Sequence, residues 1–312
     1  MAETIFVCGH KNPDNDSIAS AICCAYLKNE IAKANGEDVV YKPVRLGPIP
    51  VESQMVIDTY GLEEPELISS VEPEQKIVLV DHNETKQIVD GGMQAKIIEV
   101  IDHHRLGDFV TAGPIRITMF PYGATASILT REFEIEGIEI PQNIAACLLS
   151  AILTDTVITK SPTCTDFDRK QIAKLSEIAG VDYMEYGLSL FKCRGGESTL
   201  PIEKLVCADS KEFARTEEKT MLIGQFETVN LEAVLEREAE IREFLKNLVA
   251  EKGYEFGLFF ATDILAEGSQ FIAEGDTSAI EAAFGVDAKS ASVWMPGILS
   301  RKKQVAAPLL SL

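Results

Sequence analysis

The chain has 312 residues, 46% of them apolar and 25% charged, the composition of a globular protein with two domains or one large one. Its 29 Lys and Arg against 49 Asp and Glu leave a formal charge of −20, a field that disfavours extended nucleic-acid binding unless a local basic patch reverses it. Seven cysteines without a C-x-x-C pair argue against a disulfide framework or zinc ribbon, and an N-terminus without a basic segment or long apolar run argues against a leader or membrane span, so a cytoplasmic protein is expected.

In chain order, residues 4–8 read as a short buried strand, followed by the turn Gly9-His10-Lys11-Asn12-Pro13. Asp16 is placed to cap a helix in which Ile18, Ala19, Ile22, Ala25, Tyr26 and Ile31 recur at helical spacing up to Asn35-Gly36. A strand over 39–46, a helix over 51–60 stopped by Gly61, and apolar strands over 76–80 and 97–101 follow. Apolar runs without alternation, separated by helices, are what a parallel sheet covered by helices on both faces requires. In such sheets functional groups collect beyond the carboxyl ends of strands, where His10, Asp81 and His103 fall.

A further strand over 115–120 precedes helices over 124–136, 142–154 (closed by Asp155), 167–179 and from Asp182 into Lys192. Residues 193–199, Cys-Arg-Gly-Gly-Glu-Ser-Thr, read as a linker between domains at 1–192 and 200–312. The second domain reads as a smaller α/β unit with a mixed sheet. Its expected elements are a hairpin (212–215 and 220–226), one long charged helix over 231–252, strands over 256–262 and 270–273, a helix over 277–284 and a strand near 292–294. Ser300-Arg301-Lys302-Lys303-Gln304 follows, the most concentrated positive stretch in an acidic chain and otherwise the composition of a solvated tail.

All four histidines lie in aspartate-bearing clusters: His10 with Asp14 and Asp16, Asp81-His82, and Asp102-His103-His104. With Asp155, the set Asp14, Asp16, Asp81, His10 and His103 supplies four negative charges and two neutral nitrogens. That is a ligand set for two divalent cations, which repel unless anions lie between them. Oxygen and imidazole ligands without thiolate point to Mn²⁺ or Co²⁺, with Mg²⁺ bound at lower affinity. His82 and Asp102 suit the job of holding ligating groups in place. On the residues alone Asp16 also reads as a helix cap, Asp155 as a helix end and Lys211 as a surface lysine.

These motifs closely resemble those of the manganese-dependent (family II) inorganic pyrophosphatases of the DHH phosphoesterase superfamily, over almost the whole length. Gly9-His10 through Asp14-Asn15-Asp16, Val80-Asp81-His82-Asn83-Glu84, Ile101-Asp102-His103-His104-Arg105 and Ser150 to Asp155 match the four DHH motifs, with Ser161-Pro162-Thr163-Cys164-Thr165-Asp166 shortly after. The carboxy-terminal Ser300 to Gln304 resembles the pyrophosphatase (DHHA2) type of second domain.

The resemblance implies one cation held by His10, Asp14 and Asp81 and another by Asp16, Asp81, His103 and Asp155, with Asp81 as bridge. It implies His104 facing substrate or supporting the ligands, Lys211, Arg301 and Lys302 as phosphate ligands, and additional Mg²⁺ arriving with substrate. The reaction implied is hydrolysis of pyrophosphate to two phosphates by a hydroxide shared between the cations, with substrate between two domains that close on it. A homodimer without an inserted regulatory module is also expected. The competing readings are a DHH-type phosphoesterase acting on short oligonucleotides or cyclic dinucleotides, and a manganese-binding protein without turnover.

Overall fold

The computed structural model describes residues 2–207, 209–216 and 219–312. One compact unit ends at Arg194 and a second begins at Gly195. The first is built from β1 (Glu3–Lys11), α1 (Asn15–Asn35), β2 (Val39–Leu46), α2 (Val51–Tyr60), β3 (Glu66–Leu67), β4 (Lys76–Val80), β5 (Lys96–Asp102), β6 (Arg116–Met119), α3 (Thr125–Glu136), α4 (Gln142–Asp155), α5 (Asp166–Ala179) and α6 (Tyr183–Arg194).

The strands form one sheet in the order β3-β2-β1-β4-β5-β6, every pair parallel. The chain winds outward from β1 to β3, then restarts at β4 on the other side of β1. The order therefore reverses between β1 and β4, and the crevice beyond the carboxyl ends of strands at such a reversal is where open α/β sheets bind ligands. Val78, Leu79 and Val80 of β4 and Val100 and Ile101 of β5 are fully buried. Each side chain of that kind contributes about 1.5–3 kcal/mol by leaving water, which holds the strand ends at this crevice in place.

Helix α1 is buried on every side from Asn15 to Ala25 because it lies among β1, β2, α3 and α4. Two local readings change here. The strand β1 continues through His10, so the turn falls at Asn12 to Asp14. The cap of α1 is Asp14, whose Oδ1 accepts from Ser17 N at 2.9 Å, and Asp16 sits inside the first helical turn. Gly9 is required where these elements meet, since a Cβ there would lie 2.0 Å from Ser17 Oγ and 2.8 Å from its carbonyl oxygen.

The second unit comprises α7 (Gly196–Thr199), α8 (Ile202–Cys207), β7 (Asp209–Ala214), β8 (Thr220–Thr228), α9 (Leu231–Leu235), α10 (Glu238–Lys252), β9 (Phe256–Asp263), β10 (Gly268–Gly275), α11 (Ser278–Phe284), β11 (Val293–Pro296) and, after a wide π-type turn over Arg301–Ala306, α12 (Ala307–Leu310). Its sheet runs β11-β10-β9-β8-β7, with β8 and β9 parallel and the other pairs antiparallel.

Two expectations are corrected in this unit. The stretch 193–199 is mostly helical, as the end of α6 and the whole of α7, with Gly195 in the left-handed region between them (φ 59°). The long helix over 231–252 is two helices, because Arg237 turns its guanidinium to the carbonyls of Glu197 (2.8 Å) and Leu200 (2.7 Å). The carboxy-terminal basic stretch, whose composition alone would also suit a solvated tail, leads directly into Val305 and Leu309, which are fully buried in a core with Met221, Phe260 and Phe271. Among the described residues no helix is long and apolar enough to cross a membrane.

One ion pair gives this unit a pH-dependent stability. Hydrogen bonds from Arg215 hold the Glu255 carboxyl below its ordinary value despite burial, and Lys219 adds to the effect. Stability from this group is therefore full above the ordinary Glu value of about 4.3 and is lost as pH falls through the depressed folded value. Glu255→Gln should cost about 1.5–3 kcal/mol at pH 7, the range for hydrogen bonds to charged groups. Urea unfolding at pH 7 and pH 3 checks this, with the difference between variant and parent shrinking at the lower pH.

Candidate metal centre

Strand ends, the start of α1 and the end of α4 bring six side chains together. His10 Nε2 lies 3.5 Å from Asp14 Oδ2 and 3.5 Å from Asp81 Oδ2. His103 Nε2 lies 3.5 Å from Asp81 Oδ1 and 3.8 Å from Asp155 Oδ2. His10, Asp14 and Asp81 form one cluster of ligand atoms, and Asp16, His103 and Asp155 another. Two ligands each about 2.1 Å from a common cation stand roughly 3.0–3.5 Å apart at octahedral or tetrahedral angles, close to these separations.

The donors are also presented in the right state. His10 Nδ1 meets the Lys11 carbonyl and His103 Nδ1 meets the Tyr122 carbonyl, both at 2.9 Å, so each ring donates from Nδ1 and sets Nε2 towards the carboxylates, where it would ligate a cation held between them. Asp81 Oδ2 and His103 Nε2 are buried without a protein hydrogen-bond partner, an arrangement that bound cations would satisfy. Burial raises the Asp81 and Asp155 carboxyls well above their ordinary value, and the Asp16 charge pushes both further. Crowded, dry carboxylates of this kind favour positive charge among them.

Asp81 is aimed by its backbone. It follows β4 in the left-handed region (φ 64°), which Asp tolerates better than most residues, and its amide donates to the Ile101 carbonyl at 3.0 Å. The turn sends Oδ2 towards His10 and Oδ1 towards His103. Asp16, fully buried, accepts from Thr125 N (2.6 Å), Ala126 N and Ser20 Oγ (3.0 Å each), two of them at the amino end of α3. Asp14 caps α1 with one oxygen and faces His10 with the other.

The neighbouring residues divide clearly. His104 Nδ1 is 3.8 Å from Asp81 but hydrogen-bonded to Asp102 Oδ1 at 2.9 Å, and that bond chiefly raises its pKa to about 9. Its Nδ1 is thus committed to Asp102, itself held by Asn83. His82 donates from Nδ1 to the Val80 carbonyl (2.8 Å), and burial lowers its pKa to about 4, which keeps it neutral.

The basic residues belong to the second unit. Arg301 pairs with Asp209 Oδ1 at 2.7 Å, and its amide donates to Gln225 Oε1 at 3.2 Å. Lys211, two residues after Asp209 on β7, is exposed with Nζ 5.8 Å from the Phe213 ring centre. Lys302 is exposed. Sequence reasoning missed Thr125, whose hydroxyl donates to Asp81 Oδ1 at 2.9 Å, and the Tyr122 carbonyl. The start of α3 was the available signal for Thr125; a carbonyl leaves none.

Residues 4–152 match the DHH family, N-terminal domain, and residues 188–312 match the DHHA2 domain. A probable manganese-dependent inorganic pyrophosphatase from Exiguobacterium sp. strain AT1b is 41% identical over 97% of this chain and 96% of its own. The chain belongs to the manganese-dependent inorganic pyrophosphatase family. The manganese-dependent inorganic pyrophosphatase of Bacillus subtilis strain 168 is 40% identical over 98% of each chain. A crystal structure of a putative family II inorganic pyrophosphatase from Methanococcus jannaschii, 37% identical, matches with a TM-score of 0.60 over 98% of both chains. The six-stranded parallel sheet and the mixed five-stranded sheet are thus the fold of family II pyrophosphatases.

Proposed function

We propose that the protein hydrolyses inorganic pyrophosphate to two phosphates, using two Mn²⁺ ions. The observation that carries this reading is Asp81, whose two oxygens face two different histidines, each at 3.5 Å. His10, Asp14 and Asp81 would hold one cation, and Asp16, Asp81, His103 and Asp155 the other; Co²⁺ suits the same donors, and Mg²⁺ would bind at lower affinity. Bound cations supply acidification of water as nucleophile and neutralisation of phosphate charge.

The chain's own residues do the rest. His104 donates from Nδ1 to Asp102, which favours the protonated ring, and would offer Nε2–H to a phosphate oxygen. Arg301 can grip two phosphate oxygens in a fixed fork, with Lys302 and Lys211 as point charges. Additional Mg²⁺ accompanying the tetraanion belongs to the same reading.

An oligonucleotide phosphoesterase would need stacking surfaces and a long positive groove, which a chain of charge −20 with one tryptophan does not favour. A storage protein has no use for Arg301 on an anchored turn. Family membership supports a homodimer, which sedimentation tests, and seven free cysteines support a cytoplasmic setting. Phosphate release from pyrophosphate with Mn²⁺ and with Mg²⁺, against cleavage of a labelled dinucleotide, tests the function. Fast release from pyrophosphate alone is expected, and dinucleotide cleavage without it would overturn the reading.

A further inference from the structure

The motif running from Ser161 through Thr165 continues to Asp168, a residue the chemistry above does not use. Its carboxylate is fully buried and accepts four hydrogen bonds. Two come from Thr165, through N at 2.7 Å and Oγ1 at 2.6 Å, as half of a capping box that starts α5. The other two come from a distant segment: Gly123 N at 2.9 Å and Ser127 Oγ at 2.6 Å. Beside it, Phe167 stacks on Tyr122 with ring centres 4.3 Å apart and planes at 11°. Gly123 must be glycine here, since a Cβ would lie 3.0 Å from Asp168 Oδ2 and 2.5 Å from Thr156 Cγ2.

The segment so held, Tyr122 to Ser127, is the one that orients the metal-facing groups. The Tyr122 carbonyl fixes His103, the Thr125 hydroxyl holds Asp81, and the Thr125 and Ala126 amides hold Asp16. The other cluster is held differently. His10 takes its support from the Lys11 carbonyl and, through its amide, from Ser17 Oγ, while Asp14 is bound by Ser17 N.

We infer that Asp168 is a positioning residue chiefly for one of the two cations: by pinning Tyr122 to Ser127 it sets Asp16, His103 and the Oδ1 of Asp81 that faces His103, and so serves the site completed by Asp155 more than the site of His10, Asp14 and Asp81 Oδ2. The inference rests on the two-cation reading above. A purely structural role in starting α5 would lower stability without distinguishing the two cations.

The test is calorimetric Mn²⁺ titration of the full chain, with thermal unfolding alongside. The parent should bind two Mn²⁺. Asp168→Ala should keep one site and weaken the other about tenfold or more, since partners that orient metal ligands typically contribute 10–100-fold in affinity. Asp168→Asn keeps an acceptor for Gly123 and Thr165 and an amide for Ser127, and should restore the second affinity. Thr165→Ala removes the cap of α5 and one bond to Asp168 but leaves the Gly123 and Ser127 anchors, so it should lower Tm while weakening the second affinity less than Asp168→Ala does. Should Asp168→Ala prove too unstable, Ser127→Ala cuts one of the two anchors and should weaken the same single site by a smaller factor. Two unchanged affinities in Asp168→Ala or Ser127→Ala, or equal weakening of both sites, overturn the inference while leaving the two-cation reading standing. A parent that binds fewer than two Mn²⁺ overturns both.

Discussion

Asp81→Asn is expected to lose more Mn²⁺ binding than any other single carboxylate-to-amide change at the centre, and with it nearly all turnover. Two divalent cations about 4 Å apart repel by roughly 16 kcal/mol at an effective dielectric of about 20, about four times the figure for two unit charges because each charge is doubled. Of the six candidate ligands, Asp81 alone faces both clusters, so removing its charge weakens two attractions at once. Asn tolerates the left-handed conformation that Asp81 adopts (φ 64°), so the substitution tests charge rather than backbone. Asp14→Asn is the matched comparison, because Asn also caps helices well and Asp14 is more than half exposed. Asp16→Asn is less clean: its buried carboxylate accepts two amides and a hydroxyl, and an amide group there would point a donor at a donor.

The Asp81→Asn variant should lose more than the about 10–100-fold in affinity typical of residues that only orient ligands, with pyrophosphate turnover reduced by about three orders of magnitude or more. Asp14→Asn should retain one site near the parent affinity. Calorimetry and phosphate release on the same preparations decide it, and two Mn²⁺ bound by Asp81→Asn with unaltered affinity would remove the bridge from the scheme.

The parallel sheet was legible because its strands are fully buried and read as unbroken apolar runs, and its order places their ends, with His10, Asp81 and His103, in one crevice. The ligand candidates were legible for a different reason: histidine is scarce in this chain, and every one stands close to aspartate. What the residues did not reveal depends on tertiary contact. Asp16 reads as the cap of α1, and only the fold shows that Asp14 takes that role while the amides at the start of α3 hold Asp16. The break at Arg237 is invisible to helical periodicity because α7, whose carbonyls draw the guanidinium away, lies 40 residues earlier in the chain. Asp168 was hidden in the same way, as half of its hydrogen bonds reach back more than 40 residues to Gly123 and Ser127.

Arg301→Ala and Lys302→Ala should lower pyrophosphate turnover by about two to three orders of magnitude, the range seen when one donor to developing charge is removed, with Mn²⁺ affinity unchanged. The expectation rests on how the second unit holds this stretch. Val305 and Leu309 bury its far end, Gln304 Oε1 accepts from Leu299 N and Ser300 N at 2.9 and 3.0 Å, and Gln225 takes the Arg301 amide. A basic segment anchored at both ends keeps its cations in fixed positions, which lowers the entropy lost when they close on an anion. The Arg301 guanidinium meanwhile rests on Asp209, an exposed carboxylate that a phosphate of higher charge can displace. Arg301→Lys preserves the charge but not the fork, so it should recover only part of the activity lost in Arg301→Ala. Steady-state phosphate release, paired with Mn²⁺ titration of each variant, separates the cases: near-normal turnover would reduce the turn to a structural element, and lost Mn²⁺ binding would mean that it supports the metal centre rather than the substrate.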